Sequence, residues 1–136
     1  MAELRRRGGV PTAAGENYMF DDFQRLCELD ALDFLQPSIT KVGGVTGMRA
    51  VFDLGAAHGV QVVPHSAYFG PGLLASTHVI ASYSGEIPVE RYYADFDNTP
   101  LHEAIDPKNG RMIVPQGPGL GVDPDRDVVD RMRVDA

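Results

Sequence analysis

The chain has 136 residues, and its 19 Asp and Glu residues outnumber its 12 Lys and Arg residues, giving a formal net charge of −7. This charge argues against binding to nucleic acids or anionic membranes, because clustered positive charge recognises both. Hydrophobic residues make up 43% and charged residues 23%, which is typical of a single folded domain.

The N-terminal region and the cysteine content bear on the cellular location. Arg5, Arg6 and Arg7 form a basic cluster, but residues 8–12 supply no apolar run of the kind found in secretory signals. The single Cys27 excludes an internal disulfide framework and is typical of a reducing compartment. No apolar stretch is long enough to span a bilayer. We therefore expect a cytoplasmic protein that has no membrane partner.

Short apolar runs and segments with helical spacing alternate along residues 1–91. The predicted strands are residues 10–14, 34–37, 60–64 and 87–89. The predicted helices are one capped by Asp21 and Asp22, one capped by Thr46 and ended by Gly59, and a buried one over residues 73–83. Strands and helices that alternate without hairpins predict right-handed crossovers and a parallel sheet.

The alternation breaks down after residue 91. Residues 92–107 are irregular, residues 111–114 predict one further short strand, and residues 116–121 predict a turn. The acidic tail from Asp123 predicts a short surface helix that begins at Pro124.

We therefore divide the chain into residues 1–91, which carry the strands and helices, and residues 92–136, an extension packed on them. A parallel sheet of four strands has two open edges, and both faces of a parallel sheet are normally covered by other elements. The chain is accordingly expected to form half of something larger.

A polar group follows each of the four predicted strands. These groups are Glu16 and Asn17, Ser38 and Lys41, His65 and Ser66, and Glu90. The carboxyl ends of parallel strands are where functional groups collect in such folds, so the pattern predicts a shared cavity. Loops are ordinarily polar as well, and from the residues alone this alternative stays open.

Four motifs in this order resemble the C-terminal barrel of the enolase superfamily, in the mandelate racemase/muconate lactonizing enzyme branch. They are GEN at 15–17, QPSITKVGGVT at 36–46, VPHS at 63–66 and PQGPGLG at 115–121. The resemblance implies an α/β fold, the C-terminal half of a TIM-type (β/α) barrel with about four βα units. It also implies an N-terminal capping domain and first barrel strands that this sequence does not contain.

The resemblance implies a chemistry and assigns residues to it. Members of the family bind Mg²⁺ and abstract the proton alpha to a carboxylate. Glu16 matches a metal-ligating carboxylate, His65 a general acid/base, and Glu90 an acid that hydrogen-bonds the substrate carboxylate. Without the resemblance, the residues alone leave a solvated Glu16, a structural His65 and an ion pair between Glu90 and Arg91 as alternatives.

Ser38 departs from the family pattern. This position holds an Asp that pairs with the histidine in some members and a Lys base in others, and a serine performs neither role. The departure favours dehydration over racemisation, with His65 as the acid that assists departure of a β-hydroxyl. We expect Ser38, Lys41 and Tyr68 to bind the substrate by lining the cavity, with Lys41 cavity-lining or structural and not the base.

The resemblance therefore predicts part of a Mg²⁺-dependent dehydratase or epimerase that acts on a hydroxy acid or sugar acid. The alternative is a non-catalytic, truncated half-barrel that only assembles with a partner. The family's Lys-x-Lys base motif and first two metal carboxylates are absent from this sequence, so we expect the isolated chain to be inactive. We also expect it to form a homo-oligomer or to associate with the missing N-terminal half.

Overall fold

A computed structural model of the chain describes residues 1–66, 69–92 and 94–134. The helices are α1 (Ala2–Gly8), α2 (Phe20–Glu28), α3 (Gly44–His58), α4 (Pro71–Ala81) and α5 (Arg126–Arg131), with a 3₁₀ turn at His102–Ile105. The strands are β1 (Ala13–Ala14), β2 (Phe34–Leu35) and β3 (Gln61–Val62). Helices and strands alternate from α1 to α4, and the predicted α/β class is confirmed.

The three strands form a parallel sheet in the order β1-β2-β3. Ala14 of β1 lies opposite Leu35 of β2, which lies opposite Val62 of β3. An isolated parallel bridge between Ser38 and His65 continues the pairing of β2 and β3 past their ends. All three strands therefore deliver the residues that follow them to the same edge of the sheet.

The fourth predicted strand, residues 87–89, forms no strand in the structure. Pro88 has no backbone N–H to donate to a ladder, which explains why the apolar run does not pair as a strand. The backbone N–H of Glu90 donates to the carbonyl oxygen of Pro64, 3.3 Å away. This contact places the end of the segment beside the chain that leaves β3.

The strand predicted at residues 111–114 is also not formed. Lys108 and Arg111 make a single antiparallel bridge instead. Asn109 and Gly110 between them have φ values of 53° and 75°, as the Asn-Gly pair of a type I′ turn requires.

Two helix starts differ from their predicted positions. α2 begins at Phe20, because Asp22 acts from inside the first turn and accepts the backbone N–H of Met19 at 2.9 Å. α5 begins after Asp125, whose carboxylate accepts the N–H groups of Asp127 and Val128 at 2.8 and 3.2 Å. A side-chain cap, and not Pro124, therefore starts the last helix.

The two longest helices also shift at their ends. α3 begins at Gly44, two residues before the predicted cap Thr46, and α4 covers residues 71–81 instead of 73–83. Pro71 occupies the first turn of α4, where a missing N–H costs nothing. The predicted stop at Gly59 is confirmed, since this residue adopts φ 66° at the end of α3.

The buried apolar side chains form two clusters. The larger joins the sheet to α2, α3 and the end of α4, and contains Phe23, Cys27, Leu32, Leu35, Ile39, Val42, Met48, Val51, Phe52, Val62 and Val79. The smaller one contains Leu73, Leu74, Leu101 and Ile105 and packs the 3₁₀ turn against α4. Its members Leu73 and Leu74 are fully buried, which confirms the prediction of a buried helix. No helix among residues 1–66, 69–92 and 94–134 has the length and apolar character needed to cross a membrane.

The amino end of β1 is held by Asp33. Its carboxylate accepts the backbone N–H of Thr12 at 2.7 Å and the Nε of Arg5 at 2.8 Å. The Arg5 guanidinium, together with the Thr12 N–H, lowers the pKa of Asp33 below its ordinary value. The sequence did not predict α1, which buries no residue of its own. The hydrogen bond from Arg5 to Asp33 attaches this helix to the amino end of β1.

Candidate active site

A cavity of about 390 Å³ lies at the carboxyl edge of the sheet. The residues that line it are Ala13, Ala14, Gly15, Glu16, Asn17, Tyr18, Gln36, His65 and Glu90. Glu16 follows β1 and His65 follows β3, so parallel pairing brings both to this edge. Glu90 joins them from the irregular segment after α4, through its backbone hydrogen bond to Pro64.

His65 lies between two carboxylates. Its Nδ1 is 2.5 Å from Oε2 of Glu90, and its Nε2 is 3.9 Å from Oε2 of Glu16. The side chain is 14% exposed. The backbone is fixed as well, because the N–H of His65 donates to the carbonyl oxygen of Pro37 at 3.0 Å. The imidazole is therefore a positioned group with both ring nitrogens directed at acidic side chains.

Glu90 faces the cavity, whereas the neighbouring Arg91 forms ion pairs with other residues. The Arg91 guanidinium binds Asp95 and Asp106 at 2.8 and 2.9 Å and donates to the carbonyl oxygen of Ile105 at 3.3 Å. The ion pair of Glu90 with Arg91 that the sequence left open is thus replaced by the pair of Glu90 with His65.

The turn that carries Glu16 depends on Gly15. Gly15 has φ 142°, and a Cβ at this position would lie 2.5 Å from a ring carbon of Phe23 and 2.9 Å from the carbonyl oxygen of Gln36. Only glycine allows the chain to pass this close to the core and then direct Glu16 toward the cavity.

A hydrogen-bonded chain runs along one side of the cavity. The Lys41 ammonium donates to Oδ1 of Asn17 at 2.6 Å, and Nδ2 of Asn17 donates to Oε1 of Glu16 at 2.9 Å. One oxygen of Glu16 is thereby held by Asn17, and the other faces His65. The Glu16 side chain remains 58% exposed.

The predicted substrate-binding residues lie in different places. Ser38 is fully buried, and its hydroxyl is 3.1 Å from that of Thr40, so it lies beneath the cavity surface. Lys41 is exposed and reaches the cavity through Asn17. Tyr68 is outside the described residues.

Asn17, which the sequence placed with Glu16 after a strand, lines the cavity, but sequence reasoning missed two further polar residues of the lining, Tyr18 and Gln36. Asn17 and Tyr18 directly follow Glu16, and Gln36 directly follows β2. Tyr18 shares the strand-end position that found Glu16, and this signal was available in the sequence. Gln36 lay inside the predicted strand at 34–37, and only the earlier end of β2 at Leu35 places it after a strand.

The donor set of the described residues does not make a Mg²⁺ site on its own. Mg²⁺ prefers an octahedron of oxygen ligands. Glu16 supplies one carboxylate, Glu90 is engaged by His65, and the Asn17 oxygen already binds the cationic Lys41. Within residues 1–66, 69–92 and 94–134, no group of three or more His, Cys, Asp or Glu side chains is arranged to hold a metal ion.

The chain belongs to the family described as enolase C-terminal domain-like, whose profile matches residues 1–128. This confirms the resemblance carried by the four motifs. A crystal structure of a mandelate racemase/muconate lactonizing protein from Paracoccus denitrificans PD1222, complexed with magnesium, matches with a TM-score of 0.81 and 30% identity. The match covers 96% of this chain and 36% of that one. The prediction of a partial (β/α) barrel is therefore confirmed.

Two curated relatives have sugar-acid or sugar-lactone substrates in their names. D-galactarolactone cycloisomerase from Agrobacterium fabrum is 29% identical over 145 residues, which cover 98% of this chain and 38% of the relative. D-xylonate dehydratase from Haloferax volcanii is 31% identical over 129 residues, which cover 93% of this chain and 31% of the relative. The chain thus spans about a third of the length of the relatives it matches.

Proposed function

We propose that this chain carries part of the active site of an enolase-superfamily dehydratase that acts on a hydroxy acid or sugar acid. The observation that carries the proposal is the position of His65 between Glu90 and Glu16 in one cavity at the carboxyl edge of the sheet. A cavity of about 390 Å³ is in the range of small-molecule sites. Its amide and carboxylate groups can hydrogen-bond the hydroxyl groups of such a substrate.

In this proposal His65 is the acid of a β-elimination. A base outside the described residues removes the proton alpha to the substrate carboxylate. The β-hydroxyl departs as water after accepting a proton from Nε2 of His65, and the resulting enol tautomerises to a keto acid. His65 gives up only its Nε2 proton, keeps the proton on Nδ1, and is left as a neutral imidazole.

Glu16 is proposed as one carboxylate of a Mg²⁺ site whose remaining ligands lie outside the described residues. Its geometry agrees with this role, because one oxygen is held by Asn17 and the other faces the cavity. No ligand set can be completed from Glu16 alone, so the 136 residues by themselves are proposed to be inactive.

Dehydration is favoured over epimerisation by Ser38. Epimerisation with inversion needs a competent acid/base on each face of the substrate carbon. A buried serine hydroxyl adds no charge at the position where racemising members of the family hold an Asp. The names of the relatives include dehydratases of xylonate, talarate or galactarate, and arabinonate, as well as the cycloisomerase, so the choice of dehydration rests on Ser38.

A chimera tests this proposal. The matching segment of D-xylonate dehydratase is replaced by residues 1–128, and the purified chimera is incubated with Mg²⁺ and a panel of sugar acids in D₂O. Keto-acid formation is expected, and His65→Asn should abolish it. The matched control is His58→Asn at the exposed end of α3, which should leave the rate unchanged. A folded chimera that inverts and deuterates the alpha carbon without dehydration, or that acts on no acid in the panel, would overturn the proposal.

A further inference from the structure

The contact between His65 and Glu90 supplies a carboxylate partner that the sequence did not suggest. Nδ1 of His65 and Oε2 of Glu90 are 2.5 Å apart, at the short end for a charge-assisted hydrogen bond. Ser38, which faces His65 across the bridge between β2 and β3, brings a hydroxyl and no charge. The charge that could orient the imidazole comes instead from the segment that follows α4.

Backbone hydrogen bonds hold both Glu90 and His65 in position. Glu90 is tied to Pro64 through its N–H, and His65 is tied to Pro37 through its own N–H. Pro37 and Pro64 are both fully buried. The two side chains therefore start from a rigid part of the sheet edge, and little conformational entropy is lost when they pair.

The pairing determines which ring nitrogen exchanges protons with a ligand. An ionised carboxylate only accepts hydrogen bonds, so Nδ1 of His65 must carry a proton when Glu90 is ionised. The tautomer of a neutral imidazole is set by the hydrogen bond that one nitrogen makes. Nε2, which lies 3.9 Å from Oε2 of Glu16 at the cavity, is then the nitrogen that acts as acid or base.

We propose that Glu90 is a positioning residue that holds the Nδ1 proton of His65 and so directs Nε2 at the reacting group. This inference rests on the proposed function, and it moves Glu90 from binding the substrate carboxylate to orienting the acid. Glu90 thus replaces the carboxylate that Ser38 does not provide. The proton transferred to the leaving hydroxyl comes from Nε2, and the bond to Glu90 keeps the ring in place before and after the transfer.

The first arm of the test is nitrogen NMR of the histidine rings in the chimera that carries wild-type residues 1–128, at alkaline pH, where imidazoles are neutral. The His65 signals are identified by their loss in His65→Asn. In the wild type, His65 is expected to be protonated at Nδ1. Glu90→Ala should shift it to the Nε2-protonated form that an unconstrained histidine prefers. Glu86→Ala is the matched control, because Glu86 is an exposed glutamate that binds Arg111 instead, and it should leave the His65 tautomer unchanged.

A second variant keeps this arm decisive if Glu90→Ala does not fold. Glu90→Gln retains a carbonyl acceptor but loses the charge, so the Nδ1 proton should remain while its resonance moves upfield. A wild-type His65 protonated at Nε2, a tautomer unchanged in folded Glu90→Ala, or an unmoved Nδ1 resonance in Glu90→Gln would each overturn the proposal.

The second arm uses the chimera and separates the two roles of Glu90. A positioning residue should lower kcat roughly 10- to 100-fold when changed to Ala and leave KM nearly unchanged, as loss of an outer-shell partner does. A residue that binds the substrate carboxylate should raise KM instead, and that result would overturn the inference. An inactive chimera together with the expected tautomer shift would refute the proposed function while leaving the pairing intact.

Discussion

Lys41 donates a hydrogen bond of 2.6 Å to Asn17, although 24 positions separate them in the chain. The loop after β2 thereby holds the loop after β1, and Asn17 passes the contact on to Glu16. The lysine thus affects the site without lining its cavity. Its ammonium fixes an amide, and the amide fixes a carboxylate.

Replacing Lys41 by Met should therefore disturb the site more than the fold. The contact is exposed, so the free energy of unfolding should change by no more than about 1 kcal/mol. In the chimera with D-xylonate dehydratase, kcat/KM should fall, because Asn17 and Glu16 lose their anchor. Lys108→Met, at the other lysine of the sequence, is the matched control. Equal activity of the two variants would mean that the Lys41 contact has no functional effect.

Gly15→Ala should be strongly destabilising. The new Cβ would meet Phe23 at 2.5 Å and the Gln36 carbonyl at 2.9 Å, and the backbone would be held at φ 142°. Overpacking and backbone strain together predict a loss of roughly 2–4 kcal/mol in the free energy of unfolding. Urea denaturation measures it.

Gly70→Ala is the control for this substitution. Gly70 has an extended backbone, and no atom lies within 4 Å of the Cβ that would be added. A change of about 0.5 kcal/mol or less is expected there. Similar unfolding midpoints for both variants would contradict the steric account of the turn before Glu16.

The sequence predicted the edge of the sheet where the site forms, but not the contacts across it. Alternating apolar runs placed Glu16, Ser38 and His65 after strands, and parallel pairing then requires these residues to share one edge. Strand patterns carry no information about which side chains touch, so the pairing of His65 with Glu90 could not be predicted. The strand at residues 87–89 was predicted from an apolar run that contains Pro88. This proline has no backbone N–H to donate to a strand ladder, so the prediction was wrong for a local reason.

The first helix was missed for a different reason. α1 buries no residue, so it has no apolar face for a periodicity search to find. Its attachment depends on Arg5, which binds Asp33 and Asp30 more than twenty positions later. A contact between charges so far apart in the chain leaves no local pattern.

The Asp33 contact predicts a pH dependence of stability. Because Arg5 and the Thr12 N–H lower the pKa of Asp33 in the folded state, the unfolded state takes up the proton more readily as the pH falls. The stabilisation is fully present above the ordinary aspartate pKa of about 3.9 and is lost as the pH falls through the lowered value. Urea midpoints of the wild type and Asp33→Asn should therefore converge as the pH falls below about 3.9.

Arg5→Met provides the control for this titration, because Arg5 is the largest cause of the lowered pKa. In the Arg5→Met background, Asp33→Asn should produce a smaller pH-dependent difference. A wild-type curve that stays parallel to the Asp33→Asn curve across the acidic range would show that the carboxylate makes no net contribution through this contact.

The open edges of the sheet predict association. β1 and β3 each pair with one neighbouring strand among the described residues, and parallel strands are normally paired and covered. The 136-residue chain should dimerise or aggregate at tens of micromolar, as light scattering would measure. A stable monomer with one sharp unfolding transition would count against this expectation and against the need for a partner.

The isolated chain should not bind Mg²⁺ with functional affinity, because Glu16 is one carboxylate and the neighbouring Asn17 oxygen already holds the Lys41 ammonium. A ligand that binds only the folded state stabilises it by about 2.7 kcal/mol at a hundredfold excess over its Kd. Millimolar MgCl₂ should therefore leave the urea midpoint of the 136-residue protein unchanged beyond the general effect of salt, for which an equal ionic strength of NaCl is the control. Glu16→Gln should behave in the same way. A stabilisation specific to Mg²⁺ that disappears in Glu16→Gln would show that the described residues do complete a metal site. The dehydratase activity that we expect only of a larger assembly should then be sought in this chain itself.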